Sequence, residues 1–359
     1  MKNTIEFILI GVLAFILALI FIPIIKKIAV KVNLVDKPNY RKVHATPVPL
    51  VGGISIAVTS ILVLLISGNI VFISKEYLPI FSSGITLLII GVIDDKNDLS
   101  AKYKLIIQLI LAFIIAFSGT RITSLYGFLG IHEIATWMQY GLTILVITGV
   151  VNAFNLMDGV DGLVGGLSLL GFTMFLVASI FYDNYLLGKI SVIFIGAIIG
   201  FLKFNLSKKK IFMGDAGSLF LGFILVTLGI QFMEKQRVSQ DYGYAYGFLI
   251  LLSFFSIPVL DSLRVYVGRM KRGNSPFKAD KSHLHHLLLV AGLTHKKISI
   301  FVVLFCLILF FIGFGLISFF STTLIIVAIM TLFWAIVKLL LMIANLNEWR
   351  ETIKKLEQQ

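Results

Sequence analysis

Charge is scarce in this sequence. Only 14% of its 359 residues are Asp, Glu, Lys or Arg, while 58% are hydrophobic; a soluble domain carries about 25% charged residues. The shortage excludes a water-soluble globule. Long apolar runs recur from end to end, which also excludes a soluble domain on one anchor. Cysteine is nearly absent: Cys306 stands alone inside an apolar run, so no disulfide framework exists and nothing nearby would activate the thiol. Acid is short relative to base, 18 against 31, giving a formal charge of +13. In a chain this apolar, such an excess reports orientation and anionic lipid rather than nucleic acid. No small-residue cleavage site follows the first apolar segment, 5–25, which is expected to remain as a helix.

What the sequence does have is membrane-crossing material. A helix needs about 20 apolar residues to span the hydrocarbon core. Eleven segments qualify: 5–25, 50–68, 77–93, 103–118, 136–154, 162–181, 189–205, 218–234, 243–261, 298–319 and 322–344. The expected fold class is all-α, a polytopic transmembrane bundle. With no repeat or low-complexity tract, 1–359 reads as a single integral membrane domain. The connections 26–49, 94–102, 155–161, 206–217, 262–297 and the tail 345–359, with the flanking Lys104 and Lys203, carry 24 of the 31 basic residues. That bias places them in the cytoplasm and the N-terminus outside. Loop 262–297 is the one large enough to fold over a site. The tail sets Leu346, Trp349, Ile353 and Leu356 on one helical face. This suits a helix lying on the membrane surface and equally a solvated helix end.

Carboxylates gather on the same side. Asp94-Asp95 are expected to end the third span, and Asn155-Leu-Met-Asp158-Gly-Val-Asp161-Gly162 the fifth. Asp215 sits in Phe212-Met-Gly-Asp-Ala-Gly-Ser218, and Asp261 is expected to end the ninth. Acids at membrane helix ends are costly and usually functional. Asn155, Asp158 and Asp161 are spaced by three, so a continuing helix would align them on one face. Asp94 and Asp95, as neighbours, would point about 100° apart and serve one site only if the helix ends there or one acts indirectly. Crowded carboxylates raise one another's pKa unless a cation intervenes. An all-oxygen ligand set beside phosphate favours Mg²⁺, with Mn²⁺ as a substitute. Gly159, Gly162, Gly214 and Gly217 flank these acids where backbone must turn or approach a ligand. Five of the six histidines, including His44, His283, His285 and His286, lie on this side among Arg264, Arg269, Lys271, Arg272, Lys278 and Lys281. A loop so cationic attracts a multiply charged phosphate more than it attracts zinc.

These stretches resemble the polyprenyl-phosphate N-acetylhexosamine-1-phosphate transferases. They are Asp36-Lys-Pro-Asn-Tyr-Arg-Lys-Val-His44 with Thr46-Pro-Val-Pro-Leu-Val-Gly-Gly53, Gly91-Val-Ile-Asp-Asp95, Asn152-Ala-Phe-Asn-Leu-Met-Asp-Gly-Val-Asp-Gly162, Phe212 to Ser218, and Pro258-Val-Leu-Asp261 through His286. Within the superfamily the chain is similar to the branch that loads GlcNAc-1-phosphate onto undecaprenyl phosphate for teichoic acid, O-antigen or common antigen. The resemblance implies a bacterial cytoplasmic-membrane enzyme with its active site facing the cytoplasm. Its reaction would take UDP-GlcNAc and undecaprenyl phosphate to undecaprenyl-diphospho-GlcNAc and UMP. It implies catalytic roles for Asp94, Asp95, Asp158 and Asp161, and metal ligation by Asp215 with Asn155. It implies substrate binding by Asp36, Arg41, Lys42, His44, Gly214, Arg264, His283, His285 and His286. A homodimer is compatible with it.

Leu284 interrupts the run of three histidines carried by the relatives that transfer phospho-MurNAc-pentapeptide, and the Arg41-Lys42-Val43-His44 block is typical of the GlcNAc branch. Transfer of phospho-MurNAc-pentapeptide or of another UDP-HexNAc remains the nearest alternative. A flippase would place charge near the midplane and often show repeats, and neither is evident here. A lipid-diphosphate phosphatase would need an activated nucleophile. Direct attack by the lipid phosphate and a covalent phospho-aspartate are both open. A phosphate monoester, with a second pKa of about 6, is already largely dianionic at pH 7, which favours direct attack. The orientation is testable in a Cys306→Ser background. A cysteine placed in 262–297 should be shielded from impermeant thiol reagents in intact cells, and one at 236–241 should be labelled.

Overall fold

The computed structural model describes residues 2–36, 46–67, 76–238, 244–275 and 282–357. Among them the expected spans all appear as helices. They are α1 (Lys2–Lys31), α2 (Gly52–Ile66), α3 (Leu78–Asn97), α4 (Ala101–Phe117), α5 (Thr136–Met157), α6 (Leu163–Phe181), α7 (Tyr185–Asn205), α8 (Gly214–Val238) and α9 (Tyr244–Lys271), then α11 (His295–Leu316) and α12 (Thr322–Glu357). Nine of these are long and apolar enough to cross a membrane. The other two, α2 and α4, have 15 and 17 residues. One further helix, α10 (Leu284–Val290), lies inside the long basic loop. Two small antiparallel pairs complete the fold: β1 (Val35–Asp36) with β2 (Val48–Pro49), and β3 (Ser124–Phe128) with β4 (Ile131–Glu133).

Two boundaries differ from expectation. α9 does not stop at Asp261 but continues to Lys271, so this aspartate is a fully buried mid-helix residue. Its charge is tolerated because Arg264, His283 and the Leu284 amide all turn onto it. The tail is not a separate surface helix, because α12 runs unbroken to Glu357. Leu346, Trp349 and Ile353 are exposed on that extension, and Asn347 donates to the Val290 carbonyl at the end of α10 (3.2 Å).

The centre of the bundle is α8, whose whole apolar window is buried by its neighbours. Lipid tails are as apolar as leucine, so helices associate here through close packing, which small residues permit. A Cβ on Gly53 would fall 2.2 Å from the Gly217 backbone, and one on Gly91 would fall 2.3 Å from the Ala216 Cα. α2 and α3 therefore press directly on the first turn of α8. The segment before α2 adds backbone bonds: Phe212 donates to the Pro49 carbonyl, Gly52 to Phe212 and Gly53 to Met213, at 2.9, 2.9 and 3.1 Å. The Thr46-to-Gly53 motif is thus a brace along the strand-like entry to α8. Gly222 and Gly165 meet Phe154 and Leu202 and serve ordinary packing. The Gly91 contact predicts that Gly91→Val overpacks the crossing, at about 1–3 kcal/mol. It should lower the melting temperature in detergent, whereas Gly268→Val, with open space around its site, should leave it nearly unchanged.

Candidate active site

The loops from the cationic side close on a cavity of about 670 Å³ lined by Asp36, Asp94, Asp95, Asp158, Asp161, Gly214, Asp215 and His286, among others. Each acid is held differently. α3 extends through Asp94 and Asp95 before ending at Asp98, which takes a left-handed conformation (φ 53°). Asp94 is buried and accepts from the Leu99 amide (2.7 Å) and the Lys104 ammonium (2.5 Å). Asp95 points elsewhere, as neighbours on a helix must. Its two oxygens accept from the Asp215 and Ala216 amides at 2.8 and 3.2 Å. Those amides belong to the exposed donors of a helix N-terminus, so Asp95 caps α8 from another helix.

The Asn155–Asp161 motif is not a helical stripe. α5 ends at Met157, Asp158 occupies its C-cap, and Gly162 (φ 81°) opens α6. Asn155 stays on the helix and donates to the Ser218 hydroxyl (3.1 Å). Asp158 and Asp161 come from the turn. The expectation of one shared face fails because the helix ends between Asn155 and Asp158. Burial raises the Asp158 pKa well above the usual carboxylate range, and the charges of Asp215, Asp95 and Asp161 raise it further. Asp161 goes the other way. Burial opposes its charge, but His295 and Lys210 hold its pKa below the usual value. Lys210 stands at 2.9 Å and His295 at 3.5 Å.

The histidine motif divides by role. His286 lines the cavity. His283 is buried and contacts Asp261 through Nδ1 (3.0 Å), and Arg264 reaches the same carboxylate at 2.6 Å and also the Ser282 carbonyl. These two residues fasten α10 to α9. His285 is buried against Gly159, where a Cβ would meet its Nε2 at 2.7 Å. Burial pushes its pKa down to about 3, helped by the neighbouring His286 and His283, so the ring is neutral. Arg41, Lys42 and His44 lie outside the described residues.

Three residues enter the site that the sequence alone did not single out as functional. Lys104, in the first turn of α4, bridges Asp94 and Asp215 (3.0 Å to the latter). Lys210 binds Asp161. Asn205, buried at the end of α7, accepts from the Gly162 amide (2.6 Å) and donates to the Ile211 carbonyl (2.8 Å), stitching together the two loops that carry Asp161 and Asp215. Asn205 had a legible signal, a polar side chain closing an apolar run. The lysines looked like orienting charge.

Comparison with known proteins gives the family. Residues 77–233 match the family model described as glycosyl transferase family 4. A Bacillus subtilis (strain 168) protein named as a probable undecaprenyl-phosphate N-acetylglucosaminyl 1-phosphate transferase is 34% identical over 290 residues, 79% of each chain. The undecaprenyl-phosphate alpha-N-acetylglucosaminyl 1-phosphate transferases of Yersinia pestis and Escherichia coli (strain K12) are each 32% identical, over 83% of this chain and 81% of theirs. This chain belongs to the undecaprenyl-phosphate N-acetylglucosaminyl 1-phosphate transferase family.

In this transferase the trans-cap geometry separates the two adjacent aspartates by function. Asp95→Ala should release the α8 N-terminus, lower the melting temperature and cut turnover. A lost cap costs about 0.5–2 kcal/mol. Asp95→Asn keeps one acceptor oxygen and should retain more stability and turnover than Asp95→Ala. Equal behaviour of the two variants would mean that the cap is not what Asp95 supplies.

Proposed function

We propose that this chain transfers GlcNAc-1-phosphate from UDP-GlcNAc to undecaprenyl phosphate, releasing UMP. The observation that supports this best is the convergence, in one cavity at one end of the bundle, of acids from the end of α3, the turn between α5 and α6 and the first turn of α8 with His286 and Lys210. The family membership agrees with it. A lipid phosphate oxygen would attack the phosphorus that bears the sugar. The bond from that phosphorus to the bridging oxygen would break, and UMP would leave with that oxygen.

Such a transfer between anions depends on positioning and charge neutralisation. The side chains beside the α8 N-terminus that could ligate an ion, Asp215 and Asn155, offer oxygen, and Asp215, Asp95 and Asp161 crowd negative charge around the buried Asp158. Both features fit a hard divalent cation. Asp215, with Asn155 beside it, would hold Mg²⁺, which would supply neutralisation of the nucleotide diphosphate. The chain's own residues do the rest. Asp95 fixes the α8 amides, Asn205 fixes the two loops, and Lys210 with His295 keeps Asp161 ionised and oriented. The Asp261 anchor places His286 at the cavity by tying α10 down. Asp95 is already engaged by two amides, which suits an orienting role better than a nucleophilic one and favours direct attack by lipid phosphate. The excess of Lys and Arg in these loops supports a face turned to the cytoplasm of a bacterial cell, and the lipid-linked product would open a cell-envelope polysaccharide pathway.

With purified protein, UMP should appear only when UDP-GlcNAc and undecaprenyl phosphate are both present. Excess chelator should abolish turnover, and Mg²⁺ or Mn²⁺ should restore it. Asp215→Ala should be folded and inactive. UMP release without lipid would contradict the transfer, and full activity in chelator would contradict the metal.

A further inference from the structure

Lys104 sits where a second cation is expected to be needed. Its ammonium lies 2.5 Å from Asp94 Oδ2 and 3.0 Å from Asp215 Oδ2, joining α3 and α8 from the first turn of α4. The neighbouring acids have other partners. Asp95 is held by two backbone amides and Asp161 by Lys210 and His295. Asp215 is the acid read above as the metal ligand, and a side-chain ammonium already rests on it. An ammonium on a four-carbon stem is a compact, movable point charge. It and a divalent ion bound to the same carboxylate would repel strongly in a half-buried site.

We infer that Lys104 is a resident counter-cation that competes with the divalent metal for Asp215. Without metal, the ammonium holds Asp94 and Asp215 together against their mutual repulsion. When the metal takes Asp215, Lys104 keeps its contact with Asp94 and its freed N–H groups turn to phosphate oxygen. This rests on the reading above that Asp215 binds metal. The competition sets a threshold: metal arriving with a polyanionic nucleotide displaces the lysine more readily than metal alone, because the nucleotide gives the ammonium a new partner.

The test uses Mn²⁺ binding to the purified full chain without nucleotide, followed by the electron paramagnetic resonance of free Mn²⁺. Lys104→Met should bind Mn²⁺ roughly tenfold tighter than the wild type, and Lys104→Arg should stay near it. In chelator Lys104→Met should melt lower than the wild type, and Mn²⁺ should raise its melting temperature by more. Lys104→Gln gives the same reading if the methionine variant does not fold. Lys210→Met is the control for a general field effect, since Lys210 pairs with Asp161 in the same cavity. It should change Mn²⁺ affinity much less. Mn²⁺ binding in Lys104→Met that is unchanged or weaker overturns the competition, as does equal tightening by Lys210→Met. Mn²⁺ binding lost in Asp215→Asn but indifferent to Lys104 removes only the competition. Wild-type binding in Asp215→Asn removes the metal site itself.

Discussion

The N-terminus of α8 must be satisfied where α2 and α3 press on it at the end of the bundle, and much of the site follows from how that is done. The first amides of a helix have no partner within it, and away from water each unmet donor is expensive. Here a carboxylate from α3 meets two of them, while Gly53 and Gly91 let α2 and α3 touch the same turn. Asp215 is carried on that turn, so its position is fixed by three helices and the backbone bonds of the Pro49–Gly53 segment. A buried central helix with a fixed N-terminus is a firm platform for anionic chemistry, because its end presents positive potential to whatever binds there.

Around that platform negative charge is distributed rather than simply accumulated. Asp94 is answered by an ammonium, Asp95 by amides and Asp161 by a lysine and a histidine. Asp158 has a pKa raised first by burial and then by the charges of Asp215, Asp95 and Asp161. Farther out, Asp261 uses the same solution in reverse. A fully buried acid gathers Arg264, His283 and an amide, and by doing so attaches the histidine helix to α9. On the opposite face Glu234 accepts from the Thr123 hydroxyl and amide and from the Tyr126 hydroxyl, tying the β3–β4 hairpin to the far end of α8.

The spans were legible because a membrane demands about 20 apolar residues and leaves little else that could satisfy that pattern. The acids were legible because ionised side chains beside such runs are rare. Other features depended on three-dimensional facts. Asn155, Asp158 and Asp161 have helical spacing, yet α5 ends at Met157, so Asp158 is its C-cap and Asp161 lies in the turn that leads to Gly162 and α6. Asp261 lies next to an apolar run that ends near it, but α9 continues because its buried charge finds partners 3 and 22 residues away. Lys104 was hidden by its own plausibility. A lysine at the cytoplasmic end of a span is what orientation predicts anywhere, and its second partner lies 111 residues away.

The length of α4 has a consequence for the surrounding bilayer. Its 17 residues give a rod of about 26 Å, shorter than a hydrocarbon core of about 30 Å. α2 is shorter still but is largely enclosed by the protein. α4 is not enclosed: Ile106, Ile110, Phe113 and Phe117 face outward along it. A span this short is met either by local thinning of the bilayer or by flanking side chains that snorkel to the interface, each at modest cost. The exposed Lys102 in the first turn of α4 is placed for the second.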